Sequence, residues 1–270
     1  MKNKTLLILC VLVAFLMTAC TPTSSNSTPI TTSAHIEIIV AAASDLQFAF
    51  TEIGALYEQQ TGNKVTFVFG STGQLTQQIE NGGPFDLFAA ANQSFIDDLV
   101  AKDFVIPDTV TLYARGRIVL AVNRTAGVTA TTLDDLLSAD ITHIAIANPE
   151  HAPYGVAAKE ALQSAGIWDE LQNKIVLGEN VRQTVQYVQT GDAQTGIVAL
   201  SVADVPEITW TLIDDSLHGP LDQALGVVAS SSHSDVAREF AVFINSPTGR
   251  PIMQKYGFVL PGETILTPTP

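Results

Sequence analysis

Cysteine is nearly absent. The 270 residues hold two, Cys10 and Cys20, and Cys10 falls inside an N-terminal apolar run. With a single thiol left, neither an intrachain disulfide nor a cysteine metal site can be built. Positive charge is scarce too: 13 Lys and Arg stand against 27 Asp and Glu, a net charge of −14. A phosphate backbone repels such a chain, so nucleic acid is excluded as a partner. A small anion is not excluded. Aimed N–H and hydroxyl donors act at short range, whereas repulsion between distant charges is screened beyond about 8–10 Å. Catalytic signatures are also missing. No G-x-S-x-G occurs, and the five histidines (His35, His143, His151, His218, His233) include no H-x-x-x-H pair. These absences count against a secreted hydrolase and against a zinc or manganese carrier.

One long apolar run is present, Leu6 to Met17, behind Lys2 and Lys4. It is short for a membrane span and ends at Thr18-Ala19-Cys20, which reads as a secretory signal over residues 1–19. The break resembles a bacterial lipobox with Met17 at its first position. Cys20 is therefore expected to be lipidated and to become the new N-terminus, anchoring the protein to the cell membrane on its extracytoplasmic side. Residues 20–35 form the expected tether, since Thr21 to Ala34 (TPTSSNSTPITTSA) is rich in Ser, Thr and Pro. About 235 residues remain, enough for a sizeable core.

The rest is organised around Ile36 to Tyr57. The β-branched run Ile36, Ile38, Ile39, Val40 predicts a buried strand. Leu46, Phe50, Ile53 and Leu56/Tyr57 then follow helical spacing. Between them Ser44 and Asp45 occupy a helix start, where free N–H groups and a partial positive charge favour an anion. Either residue could equally be an N-cap. The device recurs: strand Lys64 to Phe69, then Gly70-Ser71-Thr72-Gly73, then a helix. Strands at Asp86 to Ala90, Arg117 to Asn123, Ile144 to Ala147, Lys174 to Leu177 and Gly196 to Leu200 are predicted. Further strands are read near Thr209 to Ile213 and Ala224 to Ala229. Helices are expected at Gln93 to Ala101, Thr132 to Ser138, Val156 to Ala165, Val181 to Thr190, Ser234 to Asn245 and Arg250 to Tyr256. The βα repeats imply an α/β fold with mostly parallel sheets flanked by helices. Two more strand-to-helix turns lie at Tyr154-Gly155 and Asn180-Val181, beyond the carboxyl ends of strands, where such sheets bind ligands.

Several strings resemble the molybdate-binding proteins of ABC transporters: AAASDL (Ala41 to Leu46), GSTGQLTQQIENG (Gly70 to Gly82) and DLFAAAN (Asp86 to Asn92). NPEHAPYGVAAKEAL (Asn148 to Leu162), ENVRQTVQYVQTGDAQTGIVAL (Glu179 to Leu200) and KYGF (Lys255 to Phe258) continue the likeness. The resemblance implies a two-lobed periplasmic-binding-protein fold of type II, with two crossover segments. Lobe 1 would be 36–116 plus 225–262, and lobe 2 would be 117–224.

It also implies a site. Ser44 and Thr72 would hold the oxyanion from lobe 1, and Tyr154 and Val181 would donate backbone N–H groups from lobe 2. Asp45 and Ser71 adjoin these positions as possible additions. Some relatives place a tyrosine donor after the GIV strand; Ala199 stands there, so that donor is missing. The implied ligand is molybdate or tungstate, with no cofactor and no cation ligands. The implied partner is an ABC permease, and the protein is expected to be a monomer.

Molybdate is a fully ionised dianion at neutral pH and only accepts hydrogen bonds, so donors alone suit it, each worth about 1.5–3 kcal/mol. Sulfate shares that property, and tungstate matches molybdate closely. Phosphate is the rival that needs an acceptor, which Asp45 could supply; Asp45 is read instead as a cap or a support behind the site.

Overall fold

The computed structural model describes residues 35–263. Cys20, the expected signal and the expected tether lie outside the described residues. The chain builds two five-stranded sheets, and each places its parallel strands so that helix starts face the other sheet.

The first sheet begins with β1 (Glu37–Ala43), a 3-10 turn (Ser44–Leu46) and α1 (Gln47–Thr61). The strand runs on through three alanines up to the turn. Ala41, Ala42 and Ala43 are small enough to be enclosed on both faces between neighbouring strands, at 0–2 % exposure. β2 (Lys64–Gly70), α2 (Thr72–Glu80), β3 (Leu87–Ala90) and α3 (Gln93–Ala101) follow. β1 pairs in parallel with β2 and β3. β4 (Thr111–Gly116) then forms an edge strand that local pattern did not reveal.

The chain crosses at Arg117 into the second sheet, which comprises β5 (Ile118–Asn123), β6 (Ile144–Ala147), α4 (Pro153–Ser164), α5 (Trp168–Leu171) and β7 (Ile175–Gly178). It is completed by α6 (Val181–Thr190), β8 (Thr195–Ala199), α7 (Leu200–Ala203) and β9 (Ile208–Leu212). Its order is β7-β6-β8-β5-β9, parallel across β7, β6 and β8 and antiparallel at β5. The helix expected over Thr132 to Ser138 is only a 3-10 turn, Asp134–Leu137. The Asp135 carboxylate accepts from the Thr131 and Thr132 N–H groups and closes a single turn.

β10 (Leu221–Val227) returns to the first sheet, giving the order β2-β1-β3-β10-β4. It runs antiparallel to β3 and β4, with Leu221 opposite Gly116. The boundary read at 224–225 therefore falls inside this strand. α8 (Ser234–Ile244) and α9 (Gly249–Lys255) close the lobe. α8 packs on α1 through Tyr57 and Phe240, whose rings meet edge-on at 5.1 Å. Both crossings leave from the β4–β10 pair, which makes that pair the joint between lobes.

Candidate functional site

Ser44, Asp45, Ser71, Thr72, Tyr154 and Val181 line one cavity, together with Ala43, Gly70, Ala91, Ala152 and Pro153. Counting space open to solvent it measures about 190 Å³, against about 600–780 Å³ for four other pockets. That space suits a small ion rather than an organic solute. No lysine or arginine lines it.

The two hydroxyls of lobe 1 are left free in different ways. Ser44 is almost fully buried, yet its turn has no side-chain cap bond. Its hydroxyl has no hydrogen-bond partner among the described residues, so capping does not account for it. Ser71 is the cap of α2: its Oγ accepts from Gln74 N–H at 3.4 Å and meets His151 Nδ1 at 2.8 Å. Thr72 Oγ1 accepts from Ala91 N–H at 3.1 Å, which leaves its own proton to donate.

Main-chain donors complete the wall. Thr72, Tyr154 and Val181 sit in the first turns of α2, α4 and α6, where no carbonyl of the same helix can reach their N–H groups. No other acceptor meets these three N–H groups among the described residues. Asn180 caps α6 by accepting from Arg182 and Gln183 N–H, and so leaves the Val181 N–H over. Three helix starts thus converge, each with partial positive charge. α4 begins at Pro153, earlier than the sequence suggests, because a proline at a first helical position loses no hydrogen bond.

The carboxylate of Asp45 does not cap the helix. Its Oδ2 accepts from Gln223 Nε2 at 2.7 Å and from the Tyr154 hydroxyl at 3.0 Å. Gln223 Nε2 also donates to Tyr154 Oη at 3.0 Å, and Tyr113 donates to Gln223 Oε1 at 2.8 Å. Burial pushes the Asp45 carboxyl up to about 6, against the pull of these donors. Burial likewise raises Tyr154 and Tyr113 well above the ordinary phenol, and the Asp45 charge adds to it, so both stay protonated. Gly116 makes room for this contact: a Cβ there would overlap the Tyr154 hydroxyl. Ala199 ends β8 fully buried, and nearby Ser201 donates to the Asp45 carbonyl at 2.8 Å.

Sequence reasoning missed Gln223 and Tyr113. A glutamine inside the apolar run LDQALGV was the available signal for the first, since a polar side chain in a buried strand needs partners. Among the described residues no group of three His, Cys, Asp or Glu side chains converges as a metal site would require.

Comparison with known proteins agrees with this arrangement. The family model for bacterial extracellular solute-binding proteins matches residues 38–259. Molybdate-binding protein ModA of Rhodobacter capsulatus is 34 % identical over 83 % of this chain and 88 % of its own. A putative ABC transporter substrate-binding lipoprotein of Bacillus subtilis, YvgL, is 30 % identical over 96 % of this chain and 99 % of its own. Among solved structures, the Azotobacter vinelandii periplasmic molybdate-binding protein superposes with a TM-score of 0.79 at 28 % identity, covering 83 % of this chain and 99 % of that one. Two lobes hinged at a strand pair, a donor-lined cavity between them and a family match across nearly all described residues lead to one assignment: this chain belongs to the bacterial extracellular solute-binding proteins.

Proposed function

We propose that the protein binds molybdate, and tungstate with it, in the cavity between its lobes and delivers it to the permease of an ABC importer. The observation that carries this reading is the donor set. Two hydroxyls and three helix-start N–H groups, the latter unpartnered among the described residues, line a small pocket whose lining residues include no lysine or arginine. A tetrahedral dianion that only accepts hydrogen bonds is the matching solute. Around five charge-assisted bonds of about 1.5–3 kcal/mol each sum to about 7.5–15 kcal/mol, the same order as the roughly 8–12 kcal/mol of micromolar to nanomolar binding. The relatives named as molybdate-binding support the choice among tetrahedral anions.

In this reading the protein is a monomeric carrier and not an enzyme, held outside the cytoplasm by lipid on Cys20. The Bacillus subtilis relative, named as a lipoprotein, supports the anchor. Calorimetry of ligand-free protein with molybdate, tungstate, sulfate and phosphate in turn is the test. Saturable 1:1 binding of the first two with weak or absent phosphate binding is expected. Phosphate bound as tightly as molybdate overturns the reading.

A further inference from the structure

Asp45 is one of the residues that line the anion cavity. It adjoins Ser44, is 1 % exposed, and is bonded to lobe 2 through Tyr154 and to the joint through Gln223. Its Oδ2 is saturated by Gln223 from β10 and Tyr154 from α4. Its Oδ1 is enclosed and has no hydrogen-bond partner among the described residues.

Nothing nearby neutralises this charge. The elements packed on the Ser44–Leu46 turn are α1, α6, α7 and β2. On α6 the Arg182 guanidinium donates to Gln47 at 2.9 Å and lies over the Phe48 ring at 5.0 Å, not on Asp45. α7 bears no charged residue. Lys64 of β2 is paired with Glu37. On α1, Glu52 is held by Lys255 and Tyr256, and Glu58 accepts from Val65 N–H. Tyr154 and Tyr113 face Asp45 as neutral donors or donor relays.

A dianion beside this buried carboxylate would stack like charges in an enclosed space, and a buried acid responds to that by holding its proton. We propose that Asp45 takes up one proton from solvent as the dianion enters, and that it thereby determines which oxyanions the cavity accepts. This inference rests on the oxyanion reading of the site. The proton belongs on Oδ1, because Oδ2 already receives two hydrogen bonds; one O–H bond forms and no other bond changes. The unpaired acceptor becomes a donor. A fully ionised dianion then meets an acid, whereas an anion that brings its own proton, such as hydrogenphosphate, is matched by the ionised carboxylate. Rising pH therefore shifts relative affinity away from molybdate and toward protonated anions.

The test is titration of the protein with sodium molybdate at pH 6, 7 and 8, in buffers of different ionisation enthalpy. Uptake of about half a proton per molybdate is expected at pH 6, where the free carboxyl is already about half protonated, rising toward one at pH 7 to 8, with affinity falling by up to about tenfold per pH unit over that range and levelling off once the complex itself loses the proton. Asp45→Asn should abolish the uptake and flatten the pH dependence. His151→Gln tests the histidine bonded to Ser71 at 2.8 Å as the proton acceptor instead, and loss of the uptake in that variant alone overturns the assignment to Asp45. Molybdate binding with equal heats in every buffer overturns the proposal, as does uptake that survives Asp45→Asn. Absence of any molybdate binding overturns the oxyanion reading itself and this inference with it, and is seen before the proton count is reached.

Discussion

The Gly73 N–H donates to the His151 carbonyl at 2.9 Å, a main-chain bond between the start of α2 in one lobe and the loop before α4 in the other. A Cβ on Gly73 would stand 2.8 Å from that oxygen and 3.1 Å from the His151 Cα. Only glycine lets the two helix starts come this close. Ser71 and His151 join beside them, and Gln74 Nε2 reaches Glu179 Oε2 at 2.7 Å. The helix-start donors of both lobes are brought to one cavity, with these contacts beside it.

Gly73→Ala should therefore hold the lobes apart. Overpacking of a tight contact costs about 1–3 kcal/mol, and here it falls on the contact that brings the two lobes together. Oxyanion affinity should drop by roughly tenfold or more, while the melting temperature of the ligand-free protein stays within a few degrees. Calorimetry beside thermal melting separates the two effects; unchanged affinity would mean the contact is not part of closure.

Ser44→Ala and Thr72→Ala should each weaken molybdate binding by about 1.5–3 kcal/mol, the loss of one donor to a charged ligand. Their stabilities should differ. The Ser44 hydroxyl bonds to nothing among the described residues, so its removal should leave the empty protein unchanged. Thr72→Ala strands the buried Ala91 N–H and should cost about 1–3 kcal/mol. Equal stability of the two variants in denaturant titration would contradict this division of roles.

Asp45 makes stability depend on pH with a definite sign. Its carboxyl titrates near 6 in the folded protein against an ordinary 3.8, because burial disfavours the charge. Between those values the folded chain holds more protons than the unfolded chain. The Asp45 contribution is therefore most favourable below the ordinary value and is lost as pH rises through about 6, a change on the order of 3 kcal/mol. Asp45→Asn has no such term. Relative to wild type it should gain stability between pH 4 and 6 and keep that gain above. A constant difference between the two proteins from pH 4 to 8 would show that this carboxyl does not titrate in the window.

Cys20→Ser removes the proposed lipid acceptor. The variant should fail to be processed as a lipoprotein, and any mature chain should appear in the soluble extracytoplasmic fraction. A fully processed variant that stays on the membrane would rule out the anchor.

Much of this architecture was legible locally. Runs such as Ile36 to Val40 and Ile144 to Ala147 ask for burial on both faces, and a small or hydroxyl-bearing turn after each predicts a helix start. α6 spans Val181–Thr190, as its spacing indicates. The turns that line the cavity could be placed because they recur where parallel strands end, and the resemblance to molybdate-binding proteins singled out the residues within them. β4 was not legible. TLYARG has no clear alternation, and its partner β10 arrives more than a hundred residues later. An edge strand of this kind is defined by its neighbour rather than by its own pattern.

The sequence by itself determined which segments seek burial and which turns end in free N–H groups, since both follow from local composition and backbone geometry. Only the tertiary structure decided how each polar group is satisfied. Locally, Ser44, Ser71 and Thr72 are equivalent hydroxyls at helix starts. In the fold Ser71 is engaged by Gln74 and His151, Thr72 is turned by Ala91, and Ser44 is left over. Asp45 reads as a cap in the sequence, yet its partner Gln223 lies 178 residues further on. Hydrogen bonds act over a few ångströms, so their partners are set by which distant strands the chain finally lays side by side.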